Sequence, residues 1–388
     1  MARRDDASDA HALIDRRPSR AIATPDDLLL VCAMSKFRRL PMIRRNSSPT
    51  SVPGESAVSQ VGDFSSGIAS GGTPRQLKPF TTTSDQLLLL RHRGLAVPQE
   101  ELARAILRRE GYYRVSGYAH SFKAISENES VSPDSFHRGA SFEHVVQLAD
   151  FDTALRLLLL QGMATIEIAM RAALVDRLGR LDVEAHRNPK LFDRRFVTTS
   201  ETACASPHEE WLKRFDALCT KSKEDFVTHH RVCYGGRLPI WAAAELLELG
   251  LLSRLVEGLQ FRDAKVLAEQ FEVGHPTVLK SWMHMFNVAR NRAAHHARLW
   301  NRTTTKIPLL PSMASCPDLA FLHVDAHART RLFGTLSCMR ALIRTIAPQD
   351  DWHRQVKALL ATFPDCPSLS LRSAGFPQDW KTLTLWLD

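Results

Sequence analysis

The most constraining feature of the sequence is a long run with helical periodicity between Ser141 and Gly179. Apolar residues recur every three or four positions from Phe142 to Leu178, which is typical of an α-helix that packs against others. Ser141 is a favoured N-cap residue, and glycine is a favoured residue for ending a helix. Strand-like alternation of apolar and polar residues is scarce in the rest of the chain. The sequence therefore predicts an all-α fold.

Composition divides the chain at about residue 75. The first part carries several arginine pairs and then a stretch rich in Ser, Gly and Pro from Ser47 to Pro74. So few apolar residues cannot offset the entropy lost on ordering, and we expect 1–75 to be a disordered basic extension. It is either an arm that touches nucleic acid or a dispensable addition. Residues 76–388 are expected to form one helical domain.

The charge balance points to a phosphate-bearing partner. The 388 residues carry a net charge of +9, and 39 of the 51 basic residues are arginine. Guanidinium groups bind phosphate in a planar, bidentate way, which favours an RNA, DNA or nucleotide partner. A genome rich in G and C would produce the same arginine bias without any function.

Several classes of protein are disfavoured. No apolar run reaches the roughly 18 residues of a membrane span, and Asp5, Asp6 and Asp9 lie where a secretory signal would be apolar. The seven scattered cysteines form no CxxC pair, which argues against a disulfide framework or a thiolate zinc site. GxxxxGK[ST], GxGxxG and HExxH motifs are absent. These features favour a cytoplasmic protein.

The segment from Thr277 to Arg302 carries the most chemical information. On a helical wheel at about 100° per residue, its apolar side chains gather on one side and its polar ones on the other. The apolar set is Leu279, Trp282, Phe286, Ala289, Ala293 and Trp300, and the polar set is His284, Asn287, Asn291, His295, Arg298 and Arg302. We therefore predict one helix whose polar face presents amides, imidazoles and guanidinium groups.

Within that segment, Arg290, Asn291 and His295 have the spacing of a metal-independent RNA-cleaving site. Five residues of helix separate Arg290 from His295 by a rise of about 7.5 Å, which a flexible arginine can bridge to a shared phosphate. Histidine can transfer protons near neutral pH, and arginine can stabilise charge on phosphorus. Asn291 lies one turn before His295 and could hydrogen-bond the imidazole or the substrate. One helix supplies one such histidine, so another residue or a second protomer must complete the acid–base pair.

His296 has a different interpretation because the wheel turns it towards the apolar side, where it would be a packed core residue. An adjacent histidine pair also suggests a metal. Neighbouring helical residues diverge by about 100°, however, and no nearby carboxylate completes a site, so no metal is predicted.

Two further groups leave alternatives open. Tyr112, Tyr113 and Tyr118 surround Arg114, where they could stack on bases or pack between helices. Glu167 and Arg171 are i,i+4 partners, and Arg156 lies three turns earlier on the same face. That set could be a structural ion pair or could orient a catalytic group.

These residues, taken in order, resemble the Abi-like proteins (abortive infection, AbiD/AbiF type) of the HEPN superfamily. The matching pieces are 78–80 with 86–88, 111–118, 151–159, 166–171, 239–253, 290–301 and 375–380. The resemblance covers roughly 76–388, and residues 1–75 match nothing in the family.

The resemblance implies a HEPN-type helical bundle, usually dimeric, with RNase activity centred on Arg290, Asn291 and His295. We expect no cofactor. Such proteins act in phage defence or as toxins, and some are restrained by an antitoxin protein or RNA. Some HEPN toxins carry a modifiable Tyr soon after the motif histidine, which is lacking here. We expect Arg298, Arg302, Tyr113 and Arg114 to bind RNA, and His296, Glu167, Arg171 and Arg156 to support the site. The alternatives are an RNA-binding or sensor protein without cleavage, and a helical interaction protein without nucleic acid.

Overall fold

The computed structural model describes residues 77–124, 134–366 and 368–387, which fall in one compact unit. The predicted extension 1–75 lies outside them. The described residues form fifteen α-helices joined by loops and short 3₁₀ turns. They are α1 (Thr83–His92), α2 (Glu100–Glu110), α3 (Tyr112–Ala119), α4 (Phe142–Gly179), α5 (Arg194–Val197), α6 (Pro207–Lys221), α7 (Asp225–Cys233), α8 (Ile240–Ala243), α9 (Leu249–Gly258), α10 (Phe261–Gln270), α11 (Pro276–Ala294), α12 (Phe321–Val324), α13 (Ala326–Arg329), α14 (Leu332–Ile346) and α15 (Trp352–Ala361). Extended backbone pairs only at three isolated bridges in these ranges. The all-α prediction is confirmed.

The predicted long helix is α4, and it is the element around which the others pack. The Ser141 hydroxyl accepts a hydrogen bond from the backbone N–H of His144 and caps its first turn. Helices α3, α11, α14 and α15 all pack against α4. Trp352 of α15 donates its indole N–H to the carbonyl of Leu158 at 2.7 Å, beside Gly162. A Cβ at Gly162 would lie 2.8 Å from that indole, so glycine is needed for this close approach.

One face of α4 is not covered. Leu157 and Ile168 are 57% and 63% exposed, and Ala164 and Ala172 are exposed between and beyond them. Length and composition make α4 the one helix of the described residues that could cross a membrane, although 44% of its most apolar 18-residue window is buried in the fold. We call these exposed side chains, together with the half-buried Leu160 and Val175 that flank them, the α4 stripe: Leu157, Leu160, Ala164, Ile168, Ala172 and Val175.

Helix α11 carries the motif and is held by its apolar side. Pro276 occupies its first turn, and the His275 imidazole accepts from the N–H of Thr277. Leu279, Trp282, Phe286 and Ala293 are buried as predicted. The helix ends at Ala294, however, so the prediction that it continues to Arg302 is wrong. Trp300 is fully buried, but a loop and not the helix brings it to the core.

A buried histidine couples stability to pH. His186 is fully buried with its ring edge-on to Trp211 and Phe215, at centroid distances of 6.3 and 5.1 Å, and neither ring nitrogen has a hydrogen-bond partner. Burial, and then the charge of Arg187, lower the pKa of His186 from 6.5 to about 4.

We predict that this imidazole weakens the fold in acid. Because the unfolded chain takes up the proton more readily, the stability is fully present above pH 6.5 and is lost as the pH falls towards 4. The loss attributable to this group is about 3 kcal/mol over that window. Urea unfolding at a series of pH values measures it. The free energy of unfolding of His186→Phe should fall less steeply than that of the wild type between pH 6.5 and 4. Above pH 7 the two curves should run parallel. Identical slopes in the acid window would contradict the assignment.

Candidate functional site

The motif lies at the C-terminal end of α11, where the helix closes in a Schellman arrangement. His295 is the C-cap residue. The N–H of His296 bonds to the carbonyl of Ala293 at 3.1 Å, and that of Ala297 bonds to the carbonyl of Arg292 at 2.9 Å. His296 has a φ of +56° in the position where glycine is usual. The backbone therefore reverses immediately after His295 and leaves that side chain exposed at the helix end.

A contact from a distant helix accompanies this unusual backbone. Arg114 of α3 donates to the carbonyl of His296 at 2.6 Å and also pairs with Glu110 at 3.3 Å. Arg298 donates in return to the carbonyl of Gly117, on the same helix. Two guanidinium groups thus clamp α3 to the segment that follows the motif. A left-handed non-glycine residue is costly in isolation and persists where surrounding contacts determine it.

Asp152 of α4 holds the next two residues of this segment. Its Oδ1 accepts the N–H of Trp300 at 2.7 Å, and its Oδ2 accepts the N–H of Leu299 at 3.2 Å. The same Oδ2 accepts the hydroxyl of Tyr118 at 2.8 Å and the guanidinium of Arg156 at 2.6 Å. Asp152 is fully buried and Arg156 is 3% exposed. One carboxylate therefore ties α3, α4 and the chain after the motif together.

The electrostatics of this cluster follow from its burial. Desolvation raises the pKa of Asp152, while the Tyr118 hydroxyl and the Arg156 charge act in the opposite direction. Burial and then the Asp152 charge raise the pKa of Tyr118 to about 12. Tyr118 therefore remains a hydrogen-bond donor across the physiological range.

The three predicted catalytic residues have different surroundings. His295 is exposed, whereas Arg290 is partly buried. The Nε of Arg290 is buried without a hydrogen-bond partner, and no carboxylate of the described residues pairs with this guanidinium. Asn291 donates from Nδ2 to Oδ1 of Asn287 at 3.2 Å, one turn earlier on the same face. An uncompensated cation and an exposed imidazole therefore lie at one helix end.

The predicted RNA-binding residues divide into two pairs. Arg298 and Arg114 already donate to backbone carbonyls, and burial followed by the charge of Arg302 lowers the pKa of Arg298. Arg302 and Tyr113 are exposed, Tyr113 to 83%. Because the helix ends earlier than predicted, Arg298 and Arg302 belong to the following loop and not to the polar face of α11.

The tyrosines also separate. Tyr118 is buried and Tyr112 packs against the core, as the packing interpretation expects. Only the exposed Tyr113 is placed where it could stack on a base.

The supporting residues occupy separate positions along α4. Arg171 forms an ion pair with Glu167 and donates to the carbonyl of Leu247 at 2.5 Å. Arg156 belongs to the Asp152 cluster instead. His296 is exposed, so its interpretation as a packed core histidine is wrong.

Sequence reasoning assigned no role to Asp152. Its i,i+4 spacing from Arg156 was a usable signal for a paired carboxylate. No group of three His, Cys, Asp or Glu side chains among the described residues is arranged to hold a metal ion.

A sequence model for Abi-like proteins matches residues 105–301, which is half of the chain. The chain belongs to the Abi-like protein family. The match includes Asp152, the Arg290–His295 motif and the clamp residues of α3. This membership associates the Abi-like chain with abortive-infection defence. Comparison with curated proteins and with solved structures returned no match.

We predict that Asp152 is the most sensitive polar position near the site. Asp152→Ala leaves Arg156 buried without its counter-charge and strips two backbone amides of their acceptor, which should cost about 3–5 kcal/mol. Guanidinium chloride unfolding checks this. Asp176→Ala is the matched control, because Asp176 also belongs to α4 but pairs with Arg180 in solvent. This change should leave the midpoint almost unchanged. Equal midpoints for the two variants would show that the cluster does not hold the segment.

Proposed function

We propose that this Abi-like protein is a metal-independent endoribonuclease that acts in the cytoplasm in phage defence, in the manner of a toxin. The observation that carries the proposal is the partly buried Arg290, which has no acidic partner among the described residues and shares a helix end with the exposed His295. The buried and partly buried arginines of α4 differ from Arg290 of α11, because Arg156, Arg171 and Arg177 each pair with a carboxylate. A desolvated cation without a counter-charge is suited to bind an anion.

The chemistry requires no group beyond RNA and the side chains. The 2′-hydroxyl oxygen attacks the adjacent phosphorus, its proton passes to a base, the phosphorus–O5′ bond breaks and the 5′ oxygen takes a proton from an acid. The products are a 2′,3′-cyclic phosphate and a 5′-hydroxyl. His295 performs one of the two proton transfers, and Arg290 stabilises the added negative charge on phosphorus. Asn291 lies one turn before His295 and can bind a phosphate oxygen or the imidazole.

A second copy of the chain would supply the other proton-transfer group. The α4 stripe is the surface we propose for this contact. Its members recur every three or four residues over about 27 Å, a spacing that lets a helix pack against its own two-fold mate. The stripe begins at Leu157, next in sequence to Arg156. Arg156 binds the Asp152 that holds Leu299 and Trp300, the residues that follow the motif. Pairing along the stripe would therefore bring two motifs to one groove.

The HEPN assignment and restraint by an antitoxin protein or RNA are parts of the same proposal. They rest on the ordered motifs of the sequence. The exposed Arg302 and Tyr113 are the residues proposed to contact RNA beside the motif.

We predict that His295→Ala abolishes RNA cleavage and preserves RNA binding. Loss of one general acid or base should reduce the cleavage rate by roughly 10²- to 10⁴-fold. The assay uses total RNA and tRNA in EDTA, with analysis of the product ends. Wild-type protein should leave 2′,3′-cyclic phosphates. His92→Ala, which alters an exposed histidine of α1, should cleave normally. Tight RNA binding without cleavage by the wild type, once dimerisation is verified, would favour the sensor function instead.

We also predict that charge on the α4 stripe separates the protomers. Leu157→Glu with Ile168→Glu places like charges across the proposed contact, so a dimer should become a monomer and lose cleavage while its circular dichroism stays unchanged. Analytical ultracentrifugation measures the mass. Leu88→Glu is the control, because Leu88 of α1 is also 60% exposed but lies outside the stripe. A wild type that sediments as a monomer, or a double variant that stays dimeric, would contradict this surface.

A further inference from the structure

A cavity lies on the other half of the motif helix, away from His295. It measures about 290 Å³ and is formed between the C-terminal half of α9, the N-terminal half of α11 and the loop at Lys306. Its polar lining consists of two lysines, one histidine, three hydroxyl groups and one carboxylate, namely Lys280, Lys306, His284, Ser253, Thr277, Ser281 and Glu257. A volume near the lower end of the range for small-molecule sites suits a compact group better than a large organic ligand.

The cations of this cavity keep donors available. The Lys280 ammonium gives two hydrogen bonds to the carbonyls of Glu257 and Leu259, at 2.9 and 2.8 Å, and one of its three N–H donors remains. The exposed Lys306 ammonium has no hydrogen-bond or ion-pair partner among the described residues. The Ser281 hydroxyl accepts from the N–H of Leu309 at 2.9 Å, so its own hydrogen is free to donate.

The carboxylates near the cavity offset only part of this charge. Glu257 forms its ion pair with Arg254 at 2.6 Å, and Asp193 and Glu257 act on the Lys280 ammonium from a distance. Neither lysine forms an ion pair with a carboxylate of the described residues. Burial and then the charge of Lys306 lower the pKa of His284. An anion bound between the two ammonium groups would be stabilised by both charges and could accept a hydrogen bond from the imidazole.

We propose that this cavity binds a phosphate group. The residues fit a tetrahedral oxyanion, because ammonium, hydroxyl and imidazole groups from three chain segments line the same cavity. The cavity lies on the same face as the motif, and His284 precedes His295 by eleven positions, or about 16 Å of helix rise. A backbone phosphate of an RNA strand, distant from the scissile one, meets these conditions, and so does the phosphate of a free nucleotide. The RNA source rests on the proposed function, whereas phosphate binding in the cavity does not depend on it.

The test measures binding and not cleavage. All proteins carry His295→Ala, so that RNA stays intact. The probes are inorganic phosphate, a ribonucleoside 5′-monophosphate and a twelve-nucleotide single-stranded RNA, each followed by calorimetry. Lys306→Gln removes an exposed cation of the cavity without removing a packing contact. Lys213→Gln is the matched control, because Lys213 is an exposed lysine of α6 that does not line the cavity.

We expect phosphate to bind, and Lys306→Gln to weaken it about tenfold or more, as for loss of one charged hydrogen bond. Lys213→Gln should have no effect. If the ligand is RNA backbone, Lys306→Gln also lowers the slope of log affinity against log salt by about 0.7. If RNA binding is unchanged while nucleotide binding is lost, the ligand is a free phosphate compound. No phosphate binding by the parent protein, or equal weakening in both lysine variants, overturns the cavity assignment. Failure of the RNase proposal would appear separately, as wild-type protein that does not cleave.

Discussion

The buried carboxylate of Asp152 is the interaction on which the geometry around the motif depends. It accepts hydrogen bonds from Tyr118, Arg156 and the backbone of Leu299 and Trp300, while its side chain is fully inaccessible. A buried charge of this kind is tolerable only when every lone pair is used. The four donors come from α3, α4 and the chain after α11, so these parts must assemble together or leave the charge unsatisfied. The hydrogen bonds to Asp152 therefore help to position His295, although His295 itself does not contact this carboxylate.

The parts that could be predicted are those fixed by local spacing. The length and N-cap of α4, the buried side of α11 and the Glu167–Arg171 pair all follow from periods of three and four residues. The end of α11 could not be predicted, because no glycine or proline marks it. His296 adopts a left-handed backbone in company with Arg114, which lies 182 positions earlier in the sequence. A wheel drawn through residue 302 therefore misplaces Arg298 and Arg302, while the residues before Ala294 fall where the wheel puts them.

Net charge alone is a poor guide to where an anion binds in this protein. Arg156 and Arg171 pair with carboxylates. Arg114 and Arg298 donate hydrogen bonds to backbone carbonyl oxygens and so hold the backbone in place. Arg290 differs from these four because it is partly buried and its guanidinium has neither an acidic partner nor a hydrogen-bond partner among the described residues. The composition indicated an anionic partner, but only the pairing of each guanidinium distinguishes the cations that hold the fold from those that remain for a ligand.

The polar face of α11 joins two environments on one rigid element. Its C-terminal end presents Arg290 and His295, and its N-terminal half presents Lys280 and His284 to a cavity shared with α9. A helix keeps a fixed rise, so the separation between the two is set by eleven residues of regular backbone and not by mobile loops. The Asp152 cluster holds the chain that follows the C-terminal end of α11. Near the N-terminal end of α11, Lys280 donates to two carbonyls at the end of α9. An extended anionic strand lying along this face would contact two basic groups of residues at a constant distance from each other. That constancy is the physical basis on which a single helix could both position a polymer and act on one of its phosphates.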